Sequence, residues 1–208
     1  MKIARRPLRI GLVFALVTLV LVGEWAYLRA SDARSERPDA DVASVTLAPF
    51  DVDFSLNDHN GRAMTIGDLG DRHALVLFGY THCPDVCPTE LANLATLLDD
   101  LGDQASDLSA LFITVDPERD TPEVLAHYVS AFHPRIVGLT GTAEQVAAVT
   151  EAYRVFYARA EVDADFYLMD HSSALYLMGR DGRFLTAFSS TTLPEDMAAR
   201  IRGYIVDG

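Results

Sequence analysis

Two nearly continuous apolar runs constrain the fold of this chain more than any other feature of its sequence. The segments "HALVLFGY" (73–80) and "LSALFITV" (108–115) lack the strict apolar–polar alternation of a strand with one face in water. Strands of this kind are covered on both faces. Between them, "PTELANLATLLDDLG" (88–102) repeats leucine at helical spacing and ends at a glycine. The sequence therefore predicts a strand, a helix and a second strand inside a sheet that helices cover.

The remaining elements extend this pattern to a complete α/β domain. In chain order we expect a hairpin at Asn60-Gly61, a helix over 121–132, a short strand over 136–139, a helix over 142–153, a hairpin over 173–188 that turns at Asp181-Gly182, and a closing helix over 193–206. Alternation of strands and helices predicts a mixed central sheet with helices on both faces.

The first 30 residues have the composition of a membrane segment. Basic residues come first, followed by an apolar run from Ile10 to Gly23 and then by Trp25 and Tyr27, which suit a membrane interface. We expect a single transmembrane helix that is retained as an anchor. The run itself has only 14 residues, so a cleaved signal peptide is the alternative.

This interpretation divides the chain into three parts. Residues 1–30 form a cytoplasmic N-terminus and membrane anchor, residues 31–45 form a polar linker, and residues 46–208 form the folded domain. The basic flank stays in the cytoplasm under the positive-inside rule. We therefore expect a bacterial inner-membrane protein whose soluble domain lies in the periplasm or on the outside face.

Charge is distributed unevenly along the chain. The total is −13, and residues 1–30 carry five basic groups and one acid, a net of +4, so residues 31–208 sum to −17. A body this acidic argues against nucleic acid as a partner, since phosphate contacts require Lys and Arg. It is compatible either with a cationic docking partner or simply with a soluble acidic surface.

Both cysteines lie in "FGYTHCPDVCPTEL" (78–91), between the first buried strand and its helix. A disulfide between Cys83 and Cys87 would close a very small loop and add little stability, so redox or metal chemistry is favoured. If Pro88 is the first helical residue, Cys87 is the N-cap. There the helix dipole and free N–H groups would lower the pKa of both thiols.

The spacing of the thiols separates two kinds of chemistry. Cys-x-x-x-Cys is one residue longer than the usual redox motif Cys-x-x-Cys, which disfavours an oxidoreductase without excluding it. A set of thiolates and an imidazole suits copper. The two cysteines would then need a histidine elsewhere in the chain as the third donor. His59 and His73 are expected at the surface, and His127 and His133 are expected at structural or solvated positions. His82 adjoins Cys83, but adjacent side chains in an extended loop point apart.

His171 is the remaining histidine, and it follows Asp170 inside an apolar stretch, "FYLMDHSSALYLM". Taken alone, it is equally compatible with a metal ligand and with a buried histidine satisfied by local hydrogen bonds. Met169 and Met178 are possible thioether donors, but their apolar surroundings favour core positions.

Four blocks together resemble the Sco/SenC/PrrC family, which comprises membrane-anchored, thioredoxin-like copper proteins that serve cytochrome c oxidase assembly. The blocks, in the family's order, are "FGYTHCPDVCPTEL", "ITVDPERDTPEVLAHYV", "GLTGTAEQVAAVTEAYRV" and "YLMDHSSALYLMGRDGRFL". The resemblance runs from about residue 50 to the C-terminus. It implies a thioredoxin-like (peroxiredoxin-like) fold for the domain.

The resemblance also implies residue roles. Cys83, Cys87 and His171 match the family's copper ligands, for one Cu(I) or Cu(II) per chain. Asp170 matches an acidic neighbour of the histidine that helps transfer or partner contact. Asp116, in "VDPERD", matches a block near the site, where it either positions the site or is purely structural. The acidic segment "ARAEVDADF" (158–166) fits the family only loosely and is expected to be a loop.

We therefore expect a metallochaperone, not an enzyme, that carries copper to the dinuclear copper site of a cytochrome c oxidase subunit and exchanges metal with another copper carrier. One alternative is a thiol-disulfide oxidoreductase that reduces the cysteines of that same subunit, using Cys83 and Cys87 but not His171. A redox or copper sensor would use the same ligands. A peroxidase is disfavoured, because the sequence indicates no substrate pocket.

Overall fold

The computed structural model describes residues 52–163 and 166–207. The strands are β1 Ser55–Asp58, β2 Ala63–Thr65, β3 His73–Gly79, β4 Leu108–Thr114, β5 Ile136–Thr140, β6 Tyr157–Glu161, β7 Tyr167–His171, β8 Ala174–Met178 and β9 Phe184–Ser189. The α-helices are α1 Val86–Leu101, α2 Pro122–Ser130, α3 Ala143–Ala152 and α4 Pro194–Asp207, and short 3₁₀ helices cover Ile66–Leu69 and Gly102–Asp107.

The predicted anchor and linker lie outside these residues. Among the helices that the structure does describe, none combines the length and the apolar character that a bilayer crossing requires.

Seven strands form one mixed sheet in the order β2-β1-β5-β4-β3-β8-β9. The central strands β3, β4 and β5 run parallel, and β1, β2, β8 and β9 join them in antiparallel pairs. Parallel strands need crossovers, and α1 and α2 supply them. The predicted mixed sheet is confirmed.

Helices cover both faces of the sheet, as the apolar runs predict. Along β3, Val76 and Phe78 pack on the side of α3, whereas Leu75 and Leu77 pack on the side of α1, α2 and α4. All seven residues of β3 are buried, and so are all seven of β4. The two central strands therefore form the rigid base from which the neighbouring loops project.

The starts of α2 and α3 follow the predicted caps. Thr121 accepts the N–H of Val124 at the start of α2. At the start of α3, the Thr142 hydroxyl accepts the Gln145 N–H while the Gln145 side chain accepts the Thr142 N–H. Such reciprocal caps satisfy backbone donors that the first helical turn leaves free.

Three sequence expectations are wrong. Residues 158–166 were expected to be a loop, but residues 157–161 form strand β6, which pairs with β7 in a separate two-stranded sheet. His73 is buried instead of lying at the surface. His59 is half-buried, and its Nδ1 accepts the Gly138 N–H at 2.9 Å. In each case contacts with distant strands decide the outcome.

Candidate metal centre

The two cysteines lie where β3 gives way to α1. Cys83 is in the connecting loop, and Cys87 is in the first turn of the helix, which begins at Val86 with Asp85 as its N-cap. The expectation that Cys87 is the N-cap is therefore wrong. The Cys87 N–H points at Cys83 Sγ, 3.5 Å away. Both thiols are free.

Space for the Cys87 sulfur comes from Gly79, the last residue of β3. A Cβ at position 79 would lie 2.9 Å from Cys87 Sγ and 2.7 Å from Phe112 Cε2, closer than such atoms approach one another. Cys87 itself has no exposed surface. Its sulfur is thus fixed between the end of the strand and the helix.

His171, the final residue of β7, brings an imidazole to the same sulfur. Its Nε2 lies 3.4 Å from Cys87 Sγ. Its Nδ1 lies 3.0 Å from the carbonyl oxygen of Ser172, so Nδ1 carries the proton and donates it there. The lone pair of Nε2 then faces Cys87, which is the tautomer that a metal requires.

The separation of these two atoms fits donors to a common ion. Metal–sulfur and metal–nitrogen bonds of about 2.3 Å and 2.0 Å, as in zinc sites, put their donors about 3.5 Å apart at a tetrahedral angle. Within residues 52–163 and 166–207, no group of three His, Cys, Asp or Glu side chains is arranged so that it could hold a metal ion.

The pKa values of the two thiols are shifted in opposite directions. Burial would raise the pKa of Cys83, but N–H groups of residues 85–87 point at its sulfur and bring the pKa below its ordinary value. Burial raises the pKa of Cys87 far above its ordinary value, and the Tyr80 N–H offsets only a part of this. The expected lowering thus holds for Cys83 and is wrong for Cys87.

Asp116, an expected supporting residue, is buried beside the hairpin that carries His171. It accepts the hydroxyl of Tyr167 at 2.9 Å and the Nε–H of Arg119. Arg119 Nη1 also donates to the Tyr167 carbonyl at 3.0 Å. These bonds fasten the start of β7 to the loop after β4.

The ring of Tyr167 lies between two guanidinium groups. The Cζ atoms of Arg119 and Arg159 are 3.6 and 3.7 Å from the ring centroid, which requires them to be on opposite faces. Cation–π contacts of this kind hold a side chain by both faces. Neither arginine was singled out from the sequence.

Asp120 was also missed, and it organises the loop that leads to Cys83. Its carboxylate, fully buried, accepts the Thr81 N–H at 3.0 Å, the Thr81 hydroxyl at 2.6 Å and the Thr114 hydroxyl at 2.6 Å. These bonds join the carboxyl ends of β3 and β4. The final aspartate of "VDPERD" was the available signal, but its partner Thr81 lies 39 residues away.

Glu90, one turn after Cys87 in α1, is a further buried acid that the sequence did not reveal. Its side chain bonds to Ser173, two residues beyond His171, and burial raises its pKa to about 7. Among the described residues, no donor reaches its Oε2 atom. Glu90 thus links the helix of one thiol to the segment that follows the imidazole.

The other candidates lie apart from the thiol–imidazole contact. Asp170 is exposed, Met169 is half-buried against the core and Met178 is fully buried. His82 is exposed, with its Nδ1 3.1 Å from the Thr81 hydroxyl. His127 is exposed, and His133 faces Asp99 at 3.5 Å.

Comparison with known proteins places this arrangement among related chains. The SCO1/SenC family profile matches residues 43–206. The mitochondrial SCO2 homolog of Bos taurus is 42% identical over 197 residues, covering 93% of this chain and 74% of that protein. The SCO2-like protein of Rickettsia felis is 36% identical over 208 residues, covering 98% and 100%.

Solved structures agree. Copper-bound ScoI from Bradyrhizobium japonicum superimposes with a TM-score of 0.70 at 42% identity, covering 74% of this chain and 99% of that one. Copper-bound yeast Sco1 gives 0.71 at 35% identity, covering 76% and 90%. These likenesses confirm the predicted thioredoxin-like α/β fold.

Proposed function

This chain belongs to the SCO1/SenC family, and from that premise we propose that it binds one copper ion through Cys83, Cys87 and His171 and delivers it to the dinuclear copper site of cytochrome c oxidase. Relatives at 42% and 35% identity have been solved with copper bound. The oxidase as recipient follows from the resemblance of the four sequence blocks to the family.

One observation carries the proposal: His171 Nε2 faces Cys87 Sγ at 3.4 Å, while Nδ1 on the other side of the ring is held by the Ser172 carbonyl. A histidine that was merely structural would satisfy both ring nitrogens with hydrogen-bonding groups. Here the second nitrogen faces a sulfur, which is a weak hydrogen-bonding partner and a strong ligand for soft metals.

The donor set suits a carrier of copper. Two thiolates and a neutral imidazole give a neutral centre with Cu(II) and a charge of −1 with Cu(I), so both oxidation states are tolerated. Three protein donors leave room for an incoming ligand from the recipient. Exchange can then begin before the original bonds break.

Neighbouring residues hold these donors in place. Asp120 fixes the loop before Cys83, and Asp116 fixes the hairpin that carries His171. We assign both a positioning role. Asp170, exposed beside His171, is proposed to meet the partner.

The test is a copper titration of the reduced full chain in detergent, with His171→Ala as the variant and His127→Ala as the control. The control removes an exposed imidazole on α2. We expect one copper per chain in the wild type and the control, with thiolate-to-copper charge-transfer absorption. His171→Ala should bind at least about tenfold more weakly. Equal affinity in all three proteins would overturn the three-ligand site.

A thiol-disulfide oxidoreductase is the second candidate, and the unequal thiols favour it. Cys83 is partly exposed with a lowered pKa, as an attacking thiol requires, and Cys87 is buried behind it. Cys83 would attack a disulfide of the oxidase subunit and form a mixed disulfide. Cys87 would then displace the subunit's remaining sulfur, so that the subunit gains two thiols and Cys83–Cys87 becomes a disulfide.

The same variant separates the two functions. Stoichiometric reduction of a disulfide-oxidised subunit domain by the reduced chain should survive His171→Ala, because that reaction uses the thiols alone. Loss of reduction together with copper binding would count against a separate reductase role.

For the rest of the chain we propose the organisation that the sequence predicts. Residues 1–30 anchor the protein in the bacterial inner membrane, residues 31–45 form a linker, and residues 46–208 form the copper-binding domain outside the cytoplasm.

A further inference from the structure

The β6–β7 hairpin has two distinct faces, which follow from strand alternation and from its register. Tyr157 pairs with His171 and Arg159 with Met169, so these four side chains share one face. Tyr157 and Met169 pack against the core, which makes this the inner face. The opposite face, here called the outer hairpin face, consists of Phe156, Ala158, Ala160, Val162, Phe166, Leu168 and Asp170.

The outer hairpin face is mostly apolar, although a face in contact with water is usually polar. An antiparallel pair at a surface usually turns polar side chains outward. Here six of these seven residues are apolar, and Phe156, Val162 and Phe166 are 63%, 57% and 43% exposed. The charged Arg159 and Glu161 occupy the inner-face register instead. Ala158, Ala160 and Leu168, in the middle of the face, are half-buried. Exposed apolar side chains at both ends of one face are typical of an interaction surface.

One end of the outer hairpin face adjoins the backbone of His171. The Phe156 N–H donates to Ser172 Oγ at 3.1 Å, and the Ser172 N–H donates to the Phe156 carbonyl at 2.9 Å. Ser172 also supplies the carbonyl that orients His171. Asp170, on the outer face, immediately precedes the same imidazole. A molecule that covers Phe156 and Asp170 lies on the face of the hairpin opposite the imidazole, next to the backbone of His171.

From this continuity we propose that the outer hairpin face is the docking surface for the protein that exchanges copper at Cys83, Cys87 and His171. The partner would present an apolar patch beside its own copper ligands, with a Lys or Arg opposite Asp170. The inference rests on the proposed copper-carrier function and adds which surface recognises the partner.

The net charge of the domain favours a protein partner with a basic rim over a second copy of this chain and over an anionic lipid surface. Residues 31–208 sum to −17, so a second copy of the chain or an anionic lipid surface would approach against like charge. A partner with a basic rim is attracted by the same field. Apolar contact at the centre and charged contact at the edge are the ordinary division of a protein–protein interface.

The test compares association with copper loading in the same proteins. The soluble copper-site domain of a cytochrome c oxidase subunit is titrated into the copper-loaded full chain in detergent, by calorimetry. The hairpin variant is Phe156→Ser with Phe166→Ser. Its matched control is Val124→Ser with Val206→Ser, which removes two exposed apolar side chains, 37% and 75% exposed, from α2 and α4.

We expect the hairpin variant to bind the domain about tenfold more weakly or worse, as for aromatic contacts at interfaces, with the control unchanged. Phe156→Leu with Phe166→Leu should keep the affinity within about threefold, since it keeps apolar area. All variants should take up one copper, which shows that the centre is folded. Wild-type chain that binds no copper would refute the proposed function instead.

Two results would overturn the docking proposal. One is equal affinity of the hairpin variant and the wild type for the domain. The other is a wild-type self-association, measured by sedimentation, that the serine pair abolishes while domain binding stays intact. That result would make a second copy the occupant.

Discussion

At the scale of single residues, the candidate centre depends on a glycine, Gly79, at the end of β3. Gly79 must lack a Cβ because Cys87 Sγ and the Phe112 ring already occupy that space. The requirement is one of volume, since the backbone at Gly79 belongs to a regular strand. The position of the sulfur and the packing of β3 are therefore coupled.

We predict that Gly79→Ala destabilises the fold by about 1–3 kcal/mol, the usual cost of overpacking, and also weakens copper binding because the sulfur is displaced. Urea unfolding and copper titration would measure the two effects. Gly203→Ala is the control, because a Cβ there meets open space within α4. That change should be neutral or slightly stabilising. Unchanged copper affinity in Gly79→Ala would contradict the coupling.

Glu90 sets a pH dependence of stability. Burial raises its pKa from an ordinary 4.5 to about 7, so the folded state binds its proton more tightly than the unfolded state. Stability from this group is present below about pH 4.5 and is lost as the pH rises through about 7.

We therefore predict that Glu90→Gln, which stays neutral, is more stable than the wild type at about pH 8 by roughly 2–3 kcal/mol, with the difference shrinking toward pH 5. Urea midpoints at both pH values would show this. The prediction fails if the difference between the two proteins is the same at both.

At the scale of secondary-structure elements, Asp120 joins the ends of two parallel strands. We predict that Asp120→Asn costs about 1–3 kcal/mol, because an amide cannot accept hydrogen bonds with both of its heavy atoms where three donors converge. Copper affinity should fall as well, since the loop before Cys83 loosens. Asp71→Asn is the control, removing an exposed carboxylate that pairs with Arg180. It should change stability by less than about 0.5 kcal/mol. Equal effects of the two substitutions would refute the role of Asp120.

The same scale separates what the sequence could predict from what it could not. β3, β4 and the four helices carry their own signals in apolar runs, caps and leucine spacing, and the structure agrees with each. β6 carries no such signal. In "YARAE" the charged side chains Arg159 and Glu161 share the inner-face register, and Arg159 is held there by the Tyr167 ring. That contact belongs to tertiary structure and leaves no local pattern.

The candidate site shows the same division. The thiol pair was evident from its spacing, and His171 from the resemblance. The raised pKa of Cys87 was not predictable, because it depends on burial that only the packed sheet creates. Asp120 and Glu90 were missed because each acts through a partner distant in sequence, Thr81 and Ser173 respectively.

At the scale of the whole molecule, the proposed anchor makes a prediction about location. In its host, the full chain should remain with the membrane pellet after alkaline carbonate extraction, because an apolar span resists salt and high pH. A chain that begins at residue 31 and is exported by a cleavable signal should be released. Release of the full chain by carbonate would refute a retained anchor and favour the cleaved signal peptide.

The donors of the proposed centre belong to two separately bonded pieces of the protein. Cys83 lies in the loop between β3 and α1 and Cys87 in the first turn of α1, whereas His171 ends a hairpin that forms its own two-stranded sheet. One contact that holds the hairpin against the rest of the domain is Tyr167, bonded to Asp116 and placed between two arginines. If copper binds as proposed, a partner that loosened the Tyr167 ring, four residues from His171, would shorten the residence time of the metal without touching a metal bond.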